Sequence, residues 1–245
     1  MKAVILAGGS ATRLHPLTLV TNKHLLPLYN KPIIYYAIEK LVSVGICKIM
    51  IVTSPQHIND FVNLLGSGKD FKTDKSGKQI QIIYGIQDKP AGIAQGLWIA
   101  KDYVGKDNCL LYLGDNIFEE NISSHIEKFE GGALVFLKEV KDPKRFGIAE
   151  VNKQGIVTRI EEKPKKPKTN LAVTGLYLYD NTVFKKLVGQ TLSPRGEYEI
   201  TYLNNKYIRE GKLRAVSLKE IWFDVGTFDS LLEASIYMNK KHKFT

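Results

Sequence analysis

Short runs rich in Val, Ile and Leu alternate with longer segments whose apolar residues recur at helical spacing, and this rhythm limits the chain more than any other feature. AVILAG (3–8), KIMIVTS (48–54), QIIYGIQ (81–87) and CLLYLGD (109–115) read as buried strands. Between them lie PIIYYAIEKLVSVG (32–45), HINDFVNLLG (57–66) and GIAQGLWIAKDYVG (92–105), which read as helices. Strand, helix, strand in succession predicts a parallel sheet with right-handed crossovers.

From about residue 132 the chain becomes strand-heavy, with strands expected at 132–140, 146–151, 156–162 and 172–180. Helical stretches follow at 181–189 and 197–210, and a last one starts near Thr227. The expected fold class is therefore α/β, a Rossmann-like, mixed, mostly parallel sheet flanked by helices in one domain. GSGKDFKTDKSGKQ (66–79) reads as a long polar loop, and neither an internal repeat nor a low-complexity tract interrupts the pattern.

No apolar run is long enough for a signal-peptide core or a membrane span, so a soluble cytoplasmic protein is expected. Cys47 and Cys109 sit in apolar surroundings, as buried thiols in a reducing compartment do. The formal charge of +10 suits an anionic partner. The basic stretches Lys163 to Lys168 and Lys240 to Lys243 lack interleaved aromatics, so they read as solvated charge and not as a nucleic-acid surface.

AGGSATR leaves the carboxyl end of the first predicted strand, where open parallel sheets bind ligands. Gly8 and Gly9 let backbone N–H groups approach an anion, and Arg13 offers a guanidinium fork to phosphate oxygens. The stretch matches neither GxxxxGK nor GxGxxG, and a glycine pair after a strand also reads as a plain turn. Lys23 adds a second cation, and Pro27 and Pro32 hold the chain ahead of the first helix. Asp115 in LGDN and Asp224 in WFDVGT lie at strand ends, where carboxylates suit magnesium. Taken singly, each aspartate reads equally as a turn residue or a helix cap. Lys163 follows Glu161 and Glu162 in IEEKP, which alone is an exposed charge run.

AGGSATRL, NKHLLPL, LGDNIF, RFGIAEV, EEKP, VTGLYLYD, PRGEYEIT and WFDVGT occur in that order over nearly the whole chain. Together they resemble the glucose-1-phosphate thymidylyltransferases of the sugar nucleotidyltransferase superfamily. The resemblance implies attack by a sugar 1-phosphate oxygen on the α-phosphorus of dTTP, releasing pyrophosphate and forming dTDP-glucose with Mg2+ as cofactor. Both substrates are polyanions, so such a site needs cations and a metal more than a base.

Carried over by position, the resemblance puts Gly8, Gly9, Ser10, Ala11, Thr12 and Arg13 around the triphosphate, with Arg13 and Lys23 on its leaving phosphates. It puts Lys163 on the sugar phosphate and Asp115 and Asp224 on the metal. Gln87 and Gly92 would read the thymine edge, and Asn116, Gly147, Glu162, Val173, Thr174 and Arg195 would surround the hexose. A nucleotide-binding half over about 1–115 and a sugar-binding half over about 116–240 follow from this. The expected partners are the two small substrates, with neither nucleic acid nor membrane, and a homo-oligomer is allowed.

Three positions depart from the family pattern. Ala11 replaces a usual glycine, so the loop must avoid a positive φ there or accept strain. Phe146 stands where tyrosine is common, and Tyr202 where aspartate is common. The chain also ends soon after the WFDVGT helix, as a short form without the C-terminal extension that adds a regulatory site in longer members. UTP in place of dTTP, a catalytically silent nucleotide-sugar-binding subunit and a nucleic-acid-binding protein are the rival readings; the last predicts salt-steep binding.

Overall fold

The computed structural model describes residues 1–9, 11–71 and 77–243. Four parallel strands form its first half: β1 (Lys2–Ala7), with β2 (Pro27–Leu28) and β3 (Lys31–Pro32) as a small hairpin after it, then β4 (Lys48–Thr53), β5 (Gln81–Ile86) and β6 (Cys109–Leu113). Their interiors are buried on both faces, which is why they read as continuous apolar runs instead of alternating ones. Helices α1 (Ile33–Ser43), α2 (Ile58–Leu65), α3 (Ile93–Ile99) and α4 (Lys101–Val104) fill the connections. Ile33, Ile34, Ile38 and Leu41 of α1 are fully buried, each contributing about 1.5–3 kcal/mol. The single helix expected over 92–105 is divided at Ala100, whose N–H bonds to the Leu97 carbonyl in a tighter turn.

The second half adds β7 (Asn116–Phe118), α5 (Ser123–Glu127), β8 (Ala133–Glu139), β9 (Gly147–Val151), β10 (Val157–Glu162), β11 (Leu171–Tyr179), α6 (Val183–Leu187), α7 (Ile200–Arg209), β12 (Leu213–Ser217), β13 (Trp222–Asp224) and α8 (Phe228–Lys243). The main sheet has nine strands, and β10 and β11 run against the rest of it. This is the mixed, mostly parallel α/β sheet that the sequence pattern predicts.

Strand β11 makes a fork in the sheet. Its second half, Leu176 to Tyr179, pairs with β6, whereas its first half reaches β9 at Ala172↔Ile148. Between them its register against β8 shifts, at Val173/Tyr177. Strands β6 and β9 therefore part around Thr174 and Gly175, and the β9–β10 hairpin becomes an arm beside the ends of the parallel strands. β7 leaves the main sheet at the same place and pairs with β13.

Two cores flank the sheet. One lies under α1 and α2 with Ile5, Ile51, Phe61, Tyr112 and Phe136, and the other under α3, α6 and α7 with Val4, Val52, Leu97, Tyr179 and Tyr207. A smaller third cluster joins Leu14, Leu28, Ile117 and Val225 to Ala234 and Met238 of α8, tying the first loop to the last helix.

Candidate active site

The carboxyl ends of β1, β4, β5 and β6 face one side, and backbone bonds lock their loops together. Gln87 N–H donates to the Thr53 carbonyl at 2.8 Å and Gly114 N–H to the Leu6 carbonyl at 3.0 Å. The loop after β1 starts at Gly8, where a Cβ would lie 2.5 Å from Gln87 Oε1, so only glycine lets the amide approach. Ser10 falls outside the described residues. Ala11 takes the strained alternative, with φ 47° and ψ 39°. Its carbonyl accepts from Leu14 N–H at 3.0 Å and Thr18 Oγ1 at 2.9 Å, bonds that hold this backbone in place.

At the other end of the loop sit the cations. Lys23, 8% exposed, forms an ion pair with Asp115. Asn22 braces it from behind, donating to the Ala7 carbonyl at 2.9 Å and accepting from His24 N–H at 2.9 Å. Burial and the neighbouring Lys23 charge push the His24 imidazole down to about 3, so it stays neutral. The Arg13 side chain lies against Gly226, where a Cβ would meet Nη2 at 2.8 Å.

Asp115 and Asp224 meet through the β7–β13 pair. Asp224 is the ladder partner of Asn116, and Val225 N–H donates to the Asp115 carbonyl at 2.9 Å. Burial raises both carboxyls, but Lys23 and the Asn116 amide hold Asp115 well below the usual carboxylate range. Asp224 has weaker support: burial and the Asp115 charge push it up to about 6, against Lys23, Arg13 and Arg145. Arg145 Nη2 is 3.9 Å from Asp224 Oδ2.

No cluster of three or more His, Cys, Asp or Glu side chains occurs among the described residues. Two half-buried carboxylates of like charge, with cations drawn around them, still fit magnesium, which binds through one or two carboxylates and substrate phosphates. Burial and the neighbouring Asp115 charge raise Asp224, a repulsion that a divalent cation between the two carboxylates would relieve.

Gln87 and Gly92 stand at one end of the cleft. Gln87 Nε2 donates to Gln95 Oε1 at 2.8 Å and to the Gly92 carbonyl at 3.3 Å. Gly92 adopts φ +108°, and a Cβ there would lie 2.6 Å from the Tyr198 carbonyl oxygen. Two bonds sew this loop to the segment before α7: Tyr198 N–H to the Ala91 carbonyl at 2.7 Å, and Ala94 N–H to the Tyr198 carbonyl at 3.1 Å.

The other end is the sheet fork. A cleft of ≈ 760 Å³ is lined there by Asn116, Gly147, Glu162, Lys163, Val173, Thr174 and Arg195, together with Ala11, Thr12, Arg13, Lys23 and Asp224. A smaller hollow lined by Gly8, Gly9, Gln87, Gly92 and Asp115 adjoins it, sharing Ile93, Leu113 and Glu197. Every site residue expected from the sequence and described in the structure thus lines one continuous depression.

Lys163 is exposed and in the left-handed region, φ 43°, with its N–H held by the Phe146 carbonyl at 3.0 Å. Its neighbours have other partners: Glu161 pairs with Arg159 at 2.8 Å, and Glu162 accepts from Thr201 Oγ1 at 2.9 Å and pairs with Arg195 at 3.4 Å. Among the described residues no carboxylate lies within 4.0 Å of Lys163 Nζ. Arg195 also pairs with Glu197 and Glu199, at 3.2 Å each.

Sequence reasoning left out Arg145, Gln95, Thr201 and Trp222. Arg145 precedes Phe146 and Gly147 in a motif already singled out, so its place was the available signal. Trp222 and Thr201 likewise stand inside quoted motifs, WFDVGT and PRGEYEIT, whereas Gln95, eight residues after Gln87, lies in none.

An open α/β sheet whose carboxyl-end loops gather cations around a half-buried carboxylate pair is the architecture of a nucleotide-handling enzyme. The nucleotidyl transferase family model matches residues 2–241. The glucose-1-phosphate thymidylyltransferase of Mycolicibacterium smegmatis is 43% identical, the match covering 97% of this chain and 82% of that protein. The enzyme of the same name from Neisseria meningitidis is 42% identical with the same coverage. A crystal structure of a candidate glucose-1-phosphate thymidylyltransferase from Bacillus anthracis, in complex with sucrose, superposes with TM-score 0.89 and 45% identity over 97% of this chain and 94% of that one. The chain belongs to the nucleotidyl transferase family, among the glucose-1-phosphate thymidylyltransferases. No helix among the described residues is long and apolar enough to cross a membrane.

Proposed function

We propose that the protein transfers the thymidylyl group of dTTP to glucose 1-phosphate, giving dTDP-glucose and pyrophosphate. One observation carries this reading: a single cleft joins an amide-lined end at Gln87 and Gly92 to a hydroxyl- and carboxylate-lined end at Thr174 and Glu162, with Arg13, Lys23 and Lys163 along it. That is the order of charge and polarity along a nucleoside triphosphate laid against a sugar phosphate.

In this reading an oxygen of the sugar phosphate forms a bond to the α-phosphorus while the bond to the bridging oxygen breaks and its electrons leave with pyrophosphate. No proton must move, so the side chains bind, align and neutralise. Lys163, unpaired with any carboxylate among the described residues, receives the sugar phosphate, and Arg13 and Lys23 receive the departing phosphates. Asp115 and Asp224 would hold magnesium, which would supply further neutralisation of phosphate charge. Gln87, oriented by Gln95, reads the base edge, and the Glu162 carboxylate, oriented by Thr201, accepts from hexose hydroxyls. The product would serve deoxysugar and polysaccharide assembly in the cytoplasm.

The test is incubation with glucose 1-phosphate, magnesium and each of dTTP, UTP, CTP, ATP and GTP, following pyrophosphate release. Release is expected with dTTP first and UTP second, since one methyl group is worth only about 1–3 kcal/mol. A clear UTP preference would make it a uridylyltransferase, and no release with any nucleotide would leave a silent nucleotide-sugar-binding protein.

A further inference from the structure

We propose that Trp222 is a positioning residue for the metal carboxylate, acting through the Asn116 amide; this rests on the nucleotidyl-transfer reading above. Asn116 is 2% exposed and its side-chain oxygen accepts two N–H groups, from Gly175 at 3.0 Å and from Trp222 Nε1 at 2.7 Å. Backbone amide and indole are both donors only, so they fix which end of the amide is oxygen. Asn116 Nδ2 must then face away from them, and it donates to Asp115 Oδ1 at 2.9 Å. Lys23 takes the other carboxylate oxygen, so both ends of Asp115 are held.

Strand β13 thereby sets both carboxylates. Trp222 and Asp224 are two residues apart, on the same face of the strand. Asp224 is placed directly, and Asp115 is placed through the indole and the amide. The Trp222 ring also packs edge-on against Phe146, centroids 5.5 Å apart, and Phe146 follows Arg145, the cation near Asp224. One side chain thus links the hexose arm to the metal carboxylates.

Trp222→Phe keeps an aromatic ring against Phe146 and deletes the N–H. With one of its two donors gone, the Asn116 amide is free to turn and Asp115 loses its fixed plane. Outer-shell partners of metal ligands typically matter by about 10–100-fold, and Trp222 is one bond further out, so a loss of about three- to tenfold in metal affinity is expected.

The measurement is Mn2+ binding to the substrate-free full chain by electron paramagnetic resonance, alongside steady-state kinetics. Expected for Trp222→Phe are a raised Kd for Mn2+, and a kcat at saturating metal within about twofold of wild type. The chain has two tryptophans, so in 15N-indole spectra the Trp222 signal, assigned with Trp98→Phe, should move on adding Mg2+ while that of Trp98 stays. Unchanged Mn2+ affinity with a raised KM for glucose 1-phosphate alone would overturn the proposal, making Trp222 a sugar contact. Should Trp222→Phe not fold, Asn116→Leu decides: it must weaken Mn2+ at least as much, and unchanged affinity overturns the idea. Loss of Mn2+ binding in Trp222→Phe, with no nucleotidyl transfer by wild type, would sink the functional reading and leave this one standing.

Discussion

Asp224 lies directly opposite Asn116 across the β7–β13 pair, so the second carboxylate is the ladder partner of the residue that follows the first. Two three-residue strands therefore bring together aspartates more than a hundred positions apart in sequence, and the resulting like-charge crowding sets how the site responds to protons and metal.

Because burial and Asp115 raise Asp224 to about 6, protons compete with magnesium below that pH. Asp115, held low, stays ionised over the same window. Magnesium affinity should be flat above about pH 7 and fall by about tenfold per unit well below pH 6, as a single-proton competition requires. Calorimetric titrations from pH 5 to 8 check this; a flat profile would mean Asp224 is not a ligand.

The same raised pKa has a consequence for stability without metal. A carboxyl whose folded pKa exceeds its unfolded value contributes stability that is present at low pH and lost as pH rises through the folded pKa, here about 6. Asp224→Asn should match wild type in Tm near pH 4 and exceed it above pH 7. Melting curves in chelator at the two pH values decide.

Asp115→Asn keeps the shape of the side chain but removes the charge that faces Lys23 and, in the proposed reading, magnesium. Pyrophosphate release should drop by at least about a thousandfold, the rate equivalent of the several kcal/mol a metal supplies. Near-normal turnover would displace the metal assignment.

Lys163 is exposed and has no carboxylate partner among the described residues, so Lys163→Ala should leave Tm within about 1 °C. Its loss should instead raise KM for glucose 1-phosphate by about 10–100-fold, as for a charge-assisted hydrogen bond to phosphate. An unchanged KM for the sugar with a raised KM for dTTP would move Lys163 to the nucleotide.

Gly92→Ala forces a Cβ to within 2.6 Å of the Tyr198 carbonyl at φ +108°. The strain should lower Tm by about 5–10 °C and, by shifting Gln87, weaken dTTP more than glucose 1-phosphate. Equal weakening of both would show that the seam between the loop and Tyr198 serves both ends alike.

Most of the main sheet was legible because its central strands bury both faces and so carry long Val, Ile and Leu runs. The cleft residues were legible only as an ordered set of motifs, since a glycine pair or a lone aspartate has an ordinary turn meaning. β12 was not foreseen: LRAVS is short, polar in part and half-exposed. β7 was missed because three residues are too few to show a period, although it carries the site. The open question at Ala11 came out on the strained side, φ 47°, where Thr18 and Leu14 both donate to its carbonyl. The carboxylates beside Lys163 in sequence turn to Arg159, Arg195 and Thr201, an outcome that depends on which segments the fork brings near.

The fork at Thr174 and Gly175 has a consequence for how such a protein diversifies. The β9–β10 arm shares only the Ala172↔Ile148 rung with β11 and none with the parallel strands β1, β4, β5 and β6. Changes of length or side chain in that arm can recut its end of the cleft while every rung of the parallel strands stays intact. Selection can therefore remodel the two ends of the cleft on separate pieces of backbone.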